Sequence, residues 1–281
     1  MDNLRRRKAV NLAAMTLASL CAAVGLVLLF IILWDVLAQG LSSLKPRLFT
    51  QDPAPPHIPD AGGLKSAFLG QGLLTLVASL IGVPLGVLGG TFLAEYGRHL
   101  RVCRLISTLS DMAVSIPSIV IGTFAYAILV LPMRRFNGWA GAVALAIIIL
   151  PIIVRTTEEM MAMVPWTLRE AAFALGAPYH KVITGIVWRA SMSGIFTGIL
   201  LAIARVAGET APLLFTSFNS NFFQLDMSRA VPSLTVSIYQ YAASPYESWV
   251  GLAWAAAFVV TVLVLLLNIA GRIIIKFKKK N

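Results

Sequence analysis

Apolar residues run through the chain in long blocks, without the strict alternation of a half-buried strand or the 3.6-residue stripe of a surface helix. Six stretches come close to or exceed the roughly 20 residues a helix needs to cross a bilayer. They are 12–37, 66–94, 110–132, 138–154, 194–215 and 250–271. Lipid offers the backbone no hydrogen bonds, and these blocks are too long and uniform for barrel strands, so each is expected to be helical. The pattern predicts an all-α integral membrane protein with six transmembrane helices. The N-terminal MDNLRRRKAV resembles the start of a secretory signal. The apolar run behind it, from Val10 to Leu37 and broken only by Asn11 and Asp35, is longer than a cleavable one, so it reads as an uncleaved first span.

Composition agrees with a membrane protein. The chain is 58% apolar and 12% charged, where a soluble domain carries about 25% charged residues. The net charge of +11 would suggest a nucleic-acid partner in a soluble protein. Here the cations gather at span ends. Counting alternate segments, sixteen Lys and Arg fall on the side of the N-terminus and six on the other, with Arg205 left inside a span. The bias predicts both termini in the cytoplasm, with Arg134 and Arg135 a local exception. Two separated cysteines (Cys21, Cys103) and three scattered histidines (His57, His99, His180) spell neither a disulfide framework nor a metal site.

The segments between spans differ in character. Residues 38–65 contain DPAPPHIPDAGG and should be irregular. Residues 216–249 carry Phe222, Phe223, Tyr239, Tyr241, Tyr246 and Trp249. These fit interfacial packing or a docking surface for an external partner. Gly82, Pro84, Gly86, Gly89 and Gly90 in the second span, and Pro117 in the third, read as packing features.

The segment from Arg155 to about Ser193 has helix grammar. Pro165 suits a first turn, Leu168, Ala171, Ala172 and Leu175 recur at helical spacing, and Gly176 suits a left-handed stop. Pro178 then opens a second helix with Val182, Ile183, Ile186 and Val187 on one side. Two readings fit this helix–turn–helix. It is an amphipathic hairpin resting on the membrane, or a docking element in which small Ala171–Ala172 admit another surface and Glu170 meets a basic partner.

Arg205 and Glu209 are the charged residues of the fifth span. Counted from Gly194, Arg205 lies about 16 Å along the helix, near mid-bilayer, where an arginine costs roughly 2.5–3.5 kcal/mol. Glu209 is one turn later and can neutralise it. Pro212 should deprive the Gly208 carbonyl of its partner and kink the helix there, and Thr210 adds a hydroxyl. The pair is either structural or a switchable anion station, in which the guanidinium's planar donors hold an oxyanion and Glu209 keeps that hold weak enough for release.

The string Glu170-Ala171-Ala172, three residues, Gly176, nine residues and Ile186 resembles the EAA-x3-G-x9-I loop of ABC importer permeases. It departs from that pattern in having Trp188-Arg189 where the family has Leu-Pro. LAEYG at 93–97, PSIVIG at 117–122, GWAGAVALA at 138–146, REAAFALGAP at 169–178 and LLAIARVAGETAPLLFT at 200–216 resemble the PstA-type phosphate permeases of that class. The likeness runs nearly the full length. It implies a type I ABC importer permease fold in a bacterial cytoplasmic (inner) membrane. Residues 1–65 would form the N-terminus, first span and outer loop, 66–272 the permease core with coupling loop 155–193, and 273–281 a basic tail.

The resemblance further implies a subunit of an ATP-driven phosphate importer. It would form the pathway with a homologous PstC-type permease and couple through residues 165–190 to two PstB-type ATPases. A periplasmic PstS-type phosphate-binding protein would deliver the substrate. Substrate-pathway residues would be Arg205, Glu209 and Thr210. Coupling residues would be Glu170, Ala171, Ala172 and Gly176, with Gly208 and Pro212 kinking the helix. The chain has no phosphate-binding loop of the Gly-x-x-x-x-Gly-Lys-Ser/Thr type, so it is expected to be no enzyme and to bind no cofactor, with ATP and Mg on the ATPase. Two other readings are an ion-coupled secondary anion transporter, which needs further intramembrane acids, and a scaffold with a structural ion pair.

Overall fold

The computed structural model describes residues 2–55, 58, 62–97, 100–220, 222, 224 and 226–278. His57, Arg98, His99, Phe223, Lys279 and Lys280, noted in the sequence, lie outside the described residues. Every regular element described is helical. Five helical stretches are long and apolar enough to cross a membrane, and a sharply bent helix pair makes a sixth.

α1 (Asp2–Ser43) and the short α2 (Arg47–Thr50) lead into α3 (Lys65–Glu95). The third apolar block is not one straight helix. α4 (Arg101–Ser115) stops, and α5 (Ser118–Ala125) restarts at 103° to it. Pro117 explains the break. It lacks an N–H and drives the preceding residue out of helical geometry, and Ile116 is extended at ψ 129°. α5 passes through a π-helical turn, Tyr126–Val130, into α6 (Leu131–Met133). The helix predicted over 110–132 is therefore corrected to a broken span.

α7 (Gly138–Ala162) is capped by Asn137, whose Oδ1 accepts from the Ala140 N–H at 2.8 Å. It continues past the predicted end at 154 and takes Arg155 into the helix. There Arg155 pairs with Asp111 of α4 (3.2 Å) and with Glu158 (3.7 Å) and Glu159 (2.8 Å) one turn on. α8 (Trp166–Ala174) follows, then α9 (Tyr179–Val182), a π-helical turn Ile183–Val187 and α10 (Trp188–Val206). These last three form one continuous stretch, Tyr179–Val206. The second arm of the predicted hairpin is thus the start of the fifth span. That span was expected at 194–215, and it both begins and ends earlier. α11 (Ala211–Thr216), α12 (Leu234–Ala242) and α13 (Glu247–Lys278) complete the chain.

α3 and α7 form the spine of the bundle. A Cβ on Gly86 would lie 2.8 Å from Ile153, and one on Gly90 would lie 2.5 Å from the Val154 carbonyl. Only glycine permits that approach, and both helices run on through their prolines, Pro84 and Pro151. Leu74, Ala78, Leu145, Ile149, Ile153, Ala202, Val206 and Leu213 fill the core between α3, α7, α10 and α11. The segment after α11 is built into the end of the bundle opposite α8. Asn137 donates its N–H to the Thr216 carbonyl, and Ser217 bonds both polar backbone groups of Val231.

The aromatics of 216–249 divide. Tyr241 is buried and stacks on Trp249 at 4.5 Å, and burial pushes its phenol up to about 12. Tyr246 meets Trp249 edge-on, and the Trp249 indole donates to the Ala54 carbonyl. Phe222 and Tyr239 stay exposed.

Candidate functional site

α10 ends one residue beyond Arg205. The Gly208 N–H donates to the Arg205 carbonyl (3.2 Å) and the Glu209 N–H to that of Val206 (3.1 Å). The last turn tightens in this way and the chain leaves the helix. Pro212 sits at the start of α11, where its missing N–H costs nothing. The kink expected within a continuous helix is instead a full break over residues 207–210. Two carbonyls at this break, those of Ala207 and Glu209, are taken by side chains from two other helices. Gln71 Nε2 of α3 donates to the Ala207 carbonyl (3.3 Å) and Thr235 Oγ1 of α12 to the Glu209 carbonyl (2.9 Å). The Thr235 hydroxyl also lies 3.5 Å from Gln71 Oε1. Backbone is tolerated outside a helix at membrane depth when protein satisfies it in this way.

Arg205 Nε stands 3.8 Å from Glu209 Oε1, with 47% of the Arg205 side chain exposed against 16% for Glu209. That is an ion pair longer than a hydrogen bond, so Glu209 does not occupy the guanidinium's donors. Thr210 is half-buried and leads into α11. Gly208 is exposed, and a Cβ there would find only the Arg205 carbonyl, at 3.7 Å.

The two broken spans meet here. A Cβ on Gly122 of α5 would lie 2.8 Å from Pro212 Cα, so α5 and α11 are in backbone contact. Arg205 lines a small void with Ile116 and Ser118, the residues flanking Pro117. The N-terminus of α5 therefore lies beside Arg205.

The depth differs from the sequence estimate. Because the helix begins at Tyr179, fifteen residues before Gly194, Arg205 is about 39 Å along it. Its neighbour Gln71 is about 9 Å from the start of α3 and about 36 Å from Glu95. The site lies nearer the end opposite α8 than the middle of the bundle.

The other group of sequence candidates lies at the α8 end. Gly176 has φ +77° with open space around it. Its N–H donates to the Phe173 carbonyl and the Ala177 N–H to that of Ala172, the paired bonds that close a helix on a left-handed glycine. Glu170 and Ala171 are exposed and Ala172 is buried. Leu168 and Leu175 are exposed on α8, Leu175 at 88%.

The sequence reading missed what anchors this hairpin. Arg169 is 1% exposed and its Nη2 lies 2.6 Å from Oε1 of Glu95, itself 2% exposed. Arg169 Nε is 3.4 Å from Oε2, Nη1 donates to the Val164 carbonyl (2.6 Å) and Nη2 also to that of Met161 (3.1 Å). The guanidinium stacks over Trp166 at 5.4 Å. Tyr179 donates its hydroxyl to the Glu95 carbonyl at 2.9 Å. The pair brings together residues 74 positions apart, which no local pattern reveals. Gln71, Thr75 and Ser79 do form a polar stripe at four-residue spacing along α3, a signal present in the sequence.

An all-helical bundle of apolar spans, two of them broken against each other around an arginine, with an exposed short helix braced at one end, defines a membrane transport subunit. Residues 82–280 match the family described as binding-protein-dependent transport system inner membrane component, and the chain belongs to that family. Its relatives are more particular. The chain is 47% identical over 275 residues to the phosphate transport system permease protein PstA of Yersinia pestis, covering 98% of this chain and 92% of that one. It is 47% identical to the protein of the same name from Pasteurella multocida, with 98% and 97% covered. It is 34% identical to phosphate transport system permease protein PstA 1 of Mycobacterium tuberculosis (strain CDC 1551 / Oshkosh), with 96% and 90% covered. Among solved structures, an inward-facing conformation of the MetNI methionine ABC transporter superposes with a TM-score of 0.63 over 76% of this chain and 94% of that one. At 18% identity that likeness shows the fold, a type I ABC importer permease.

Proposed function

We propose that the chain is the permease subunit of an ATP-driven inorganic phosphate importer in a bacterial cytoplasmic membrane, with both termini inside. The observation that carries the reading is Arg205. Its half-exposed guanidinium is only loosely held by Glu209, at the point where two broken spans touch. A planar set of donors suits a tetrahedral oxyanion. The N-terminus of α5 beside it adds positive potential. Glu209 holds the arginine between passages and keeps anion binding weak enough for release. The relatives, phosphate transport system permease proteins, supply phosphate as the anion.

Arg205 is open on one side, so a second, homologous permease of PstC type completes the pathway. A PstS-type binding protein delivers phosphate on the side opposite α8. Two PstB-type ATPases supply ATP hydrolysis, each permease receiving one through its own hairpin. Here the contact is made by Glu170, Ala171 and the exposed Leu168 and Leu175. The likeness to permease proteins favours this reading over an ion-coupled carrier.

The test is phosphate uptake in cells carrying Arg205→Gln, with assembly of the permease–ATPase complex checked in parallel. Uptake is expected to be lost while assembly persists. Unchanged uptake would reduce Arg205 to a structural partner of Glu209.

A further inference from the structure

α3 is tied at both ends to the polypeptide that carries the candidate site. At one end Glu95 closes the α8 hairpin and, through Tyr179, the start of the α9–α10 helix. At the other, Gln71 holds the Ala207 carbonyl just beyond the end of that helix. The Glu95 joint is rigid. Arg169 spends its donors on Glu95 and on the Val164 and Met161 carbonyls, so the end of α7, the hairpin and α3 share one guanidinium. Such a buried cluster adds little net stability over an apolar one, and its use is geometric.

At the far joint, α3, α10, α12 and α13 border a cavity of about 370 Å³ lined by Gln71, Thr75, Ser79, Ile203, Ala207 and Val264 among others. α3 and α10 are thus joined at both ends, with space beside the far joint and Val87, Ile195 and Ile199 packed between the two.

Resting on the functional reading above, we infer that Glu95, Tyr179 and Gln71 are positioning residues that carry movement of the ATPase-facing hairpin to the broken segment bearing Arg205 and Glu209. They touch neither ATP nor the anion. The Arg205 segment shifts because both its own helix and the helix that holds its carbonyl are driven from one buried joint.

The test uses the assembled complex of this chain with its homologous permease and ATPase. The native cysteines are replaced by serine, and Gly208→Cys reports on the break, where a side chain has room. Thiol labelling at this position is measured with and without ATP. In the parent, nucleotide is expected to change the labelling rate about fivefold or more, the lower end of typical coupling between sites. Tyr179→Phe removes one hydroxyl, and Gln71→Leu removes the far joint. Both are expected to flatten that response while ATP hydrolysis continues. Glu95→Gln should do the same if the complex still assembles.

A parent with no nucleotide response, or Tyr179→Phe and Gln71→Leu variants that keep the parent's response, would overturn the inference. The readout does not involve phosphate. If labelling behaves as expected but the complex with native Gly208 moves no phosphate, the phosphate reading sinks and the mechanical link stands.

Discussion

The buried Arg169–Glu95 pair shows how little a residue's type says before its surroundings are known. In the sequence Arg169 is one of many cations on the α8 side, and the Glu–Ala–Ala string beside it attracts attention. In the fold Arg169 is the buried member and Glu170 the exposed one. Replacing one partner alone strands a buried charge. Arg169→Met should therefore destabilise the subunit by about 3–5 kcal/mol. The double change Glu95→Leu with Arg169→Met should recover most of that, because an apolar pair fills the space without a charge to desolvate. Thermal unfolding of the detergent-solubilised complex checks both. Arg205 behaves oppositely. A lone arginine in an apolar run is conspicuous, and its loose contact with Glu209 follows from four-residue spacing. The contacts of Gln71 and Thr235 do not, since their partners lie 136 and 26 residues away.

At the scale of elements, four prolines had two different outcomes from the same chemistry. Pro84 and Pro151 sit inside regular helices that are clamped together through glycines. Pro117 and Pro212 stand at the two breaks. Local sequence says only that an N–H is missing. At the Pro212 break, side chains of Gln71 and Thr235 take the carbonyls of Ala207 and Glu209. The α8 stop is the contrary case, because a left-handed glycine closes a helix by itself. Gly176→Ala should cost about 1 kcal/mol or more at φ +77° and loosen the hairpin. The expected outcome is weaker binding of the ATPase to the permease pair by about fivefold, measured by titration, with α-helical content unchanged.

Across the whole molecule, the charge asymmetry and the fold make a joint prediction about sidedness. Leu175 on α8 and Phe222 beyond α11 are both highly exposed and lie at opposite ends of the bundle. Cysteines placed at the two positions in a chain lacking Cys21 and Cys103 should label from opposite sides of the membrane, Leu175→Cys from the cytoplasm only. Labelling of both from one side would refute the orientation.

Hydropathy alone determined that this is a helical membrane protein with about six crossings, because a bilayer leaves an apolar chain of this length no other way to satisfy its backbone. The Glu–Ala–Ala–Gly spacing and the Arg–Glu pair were equally legible, being local in sequence. Three features were decided only by tertiary structure: where the spans break, how deep Arg205 lies, and what anchors the hairpin. The hairpin's anchor and the seating of the break at 207–210 rest on bonds between residues distant in the chain, Arg169 with Glu95 and Gln71 with Ala207. In an environment without water, the partner a polar group finds elsewhere in the fold decides whether a helix continues, stops or turns.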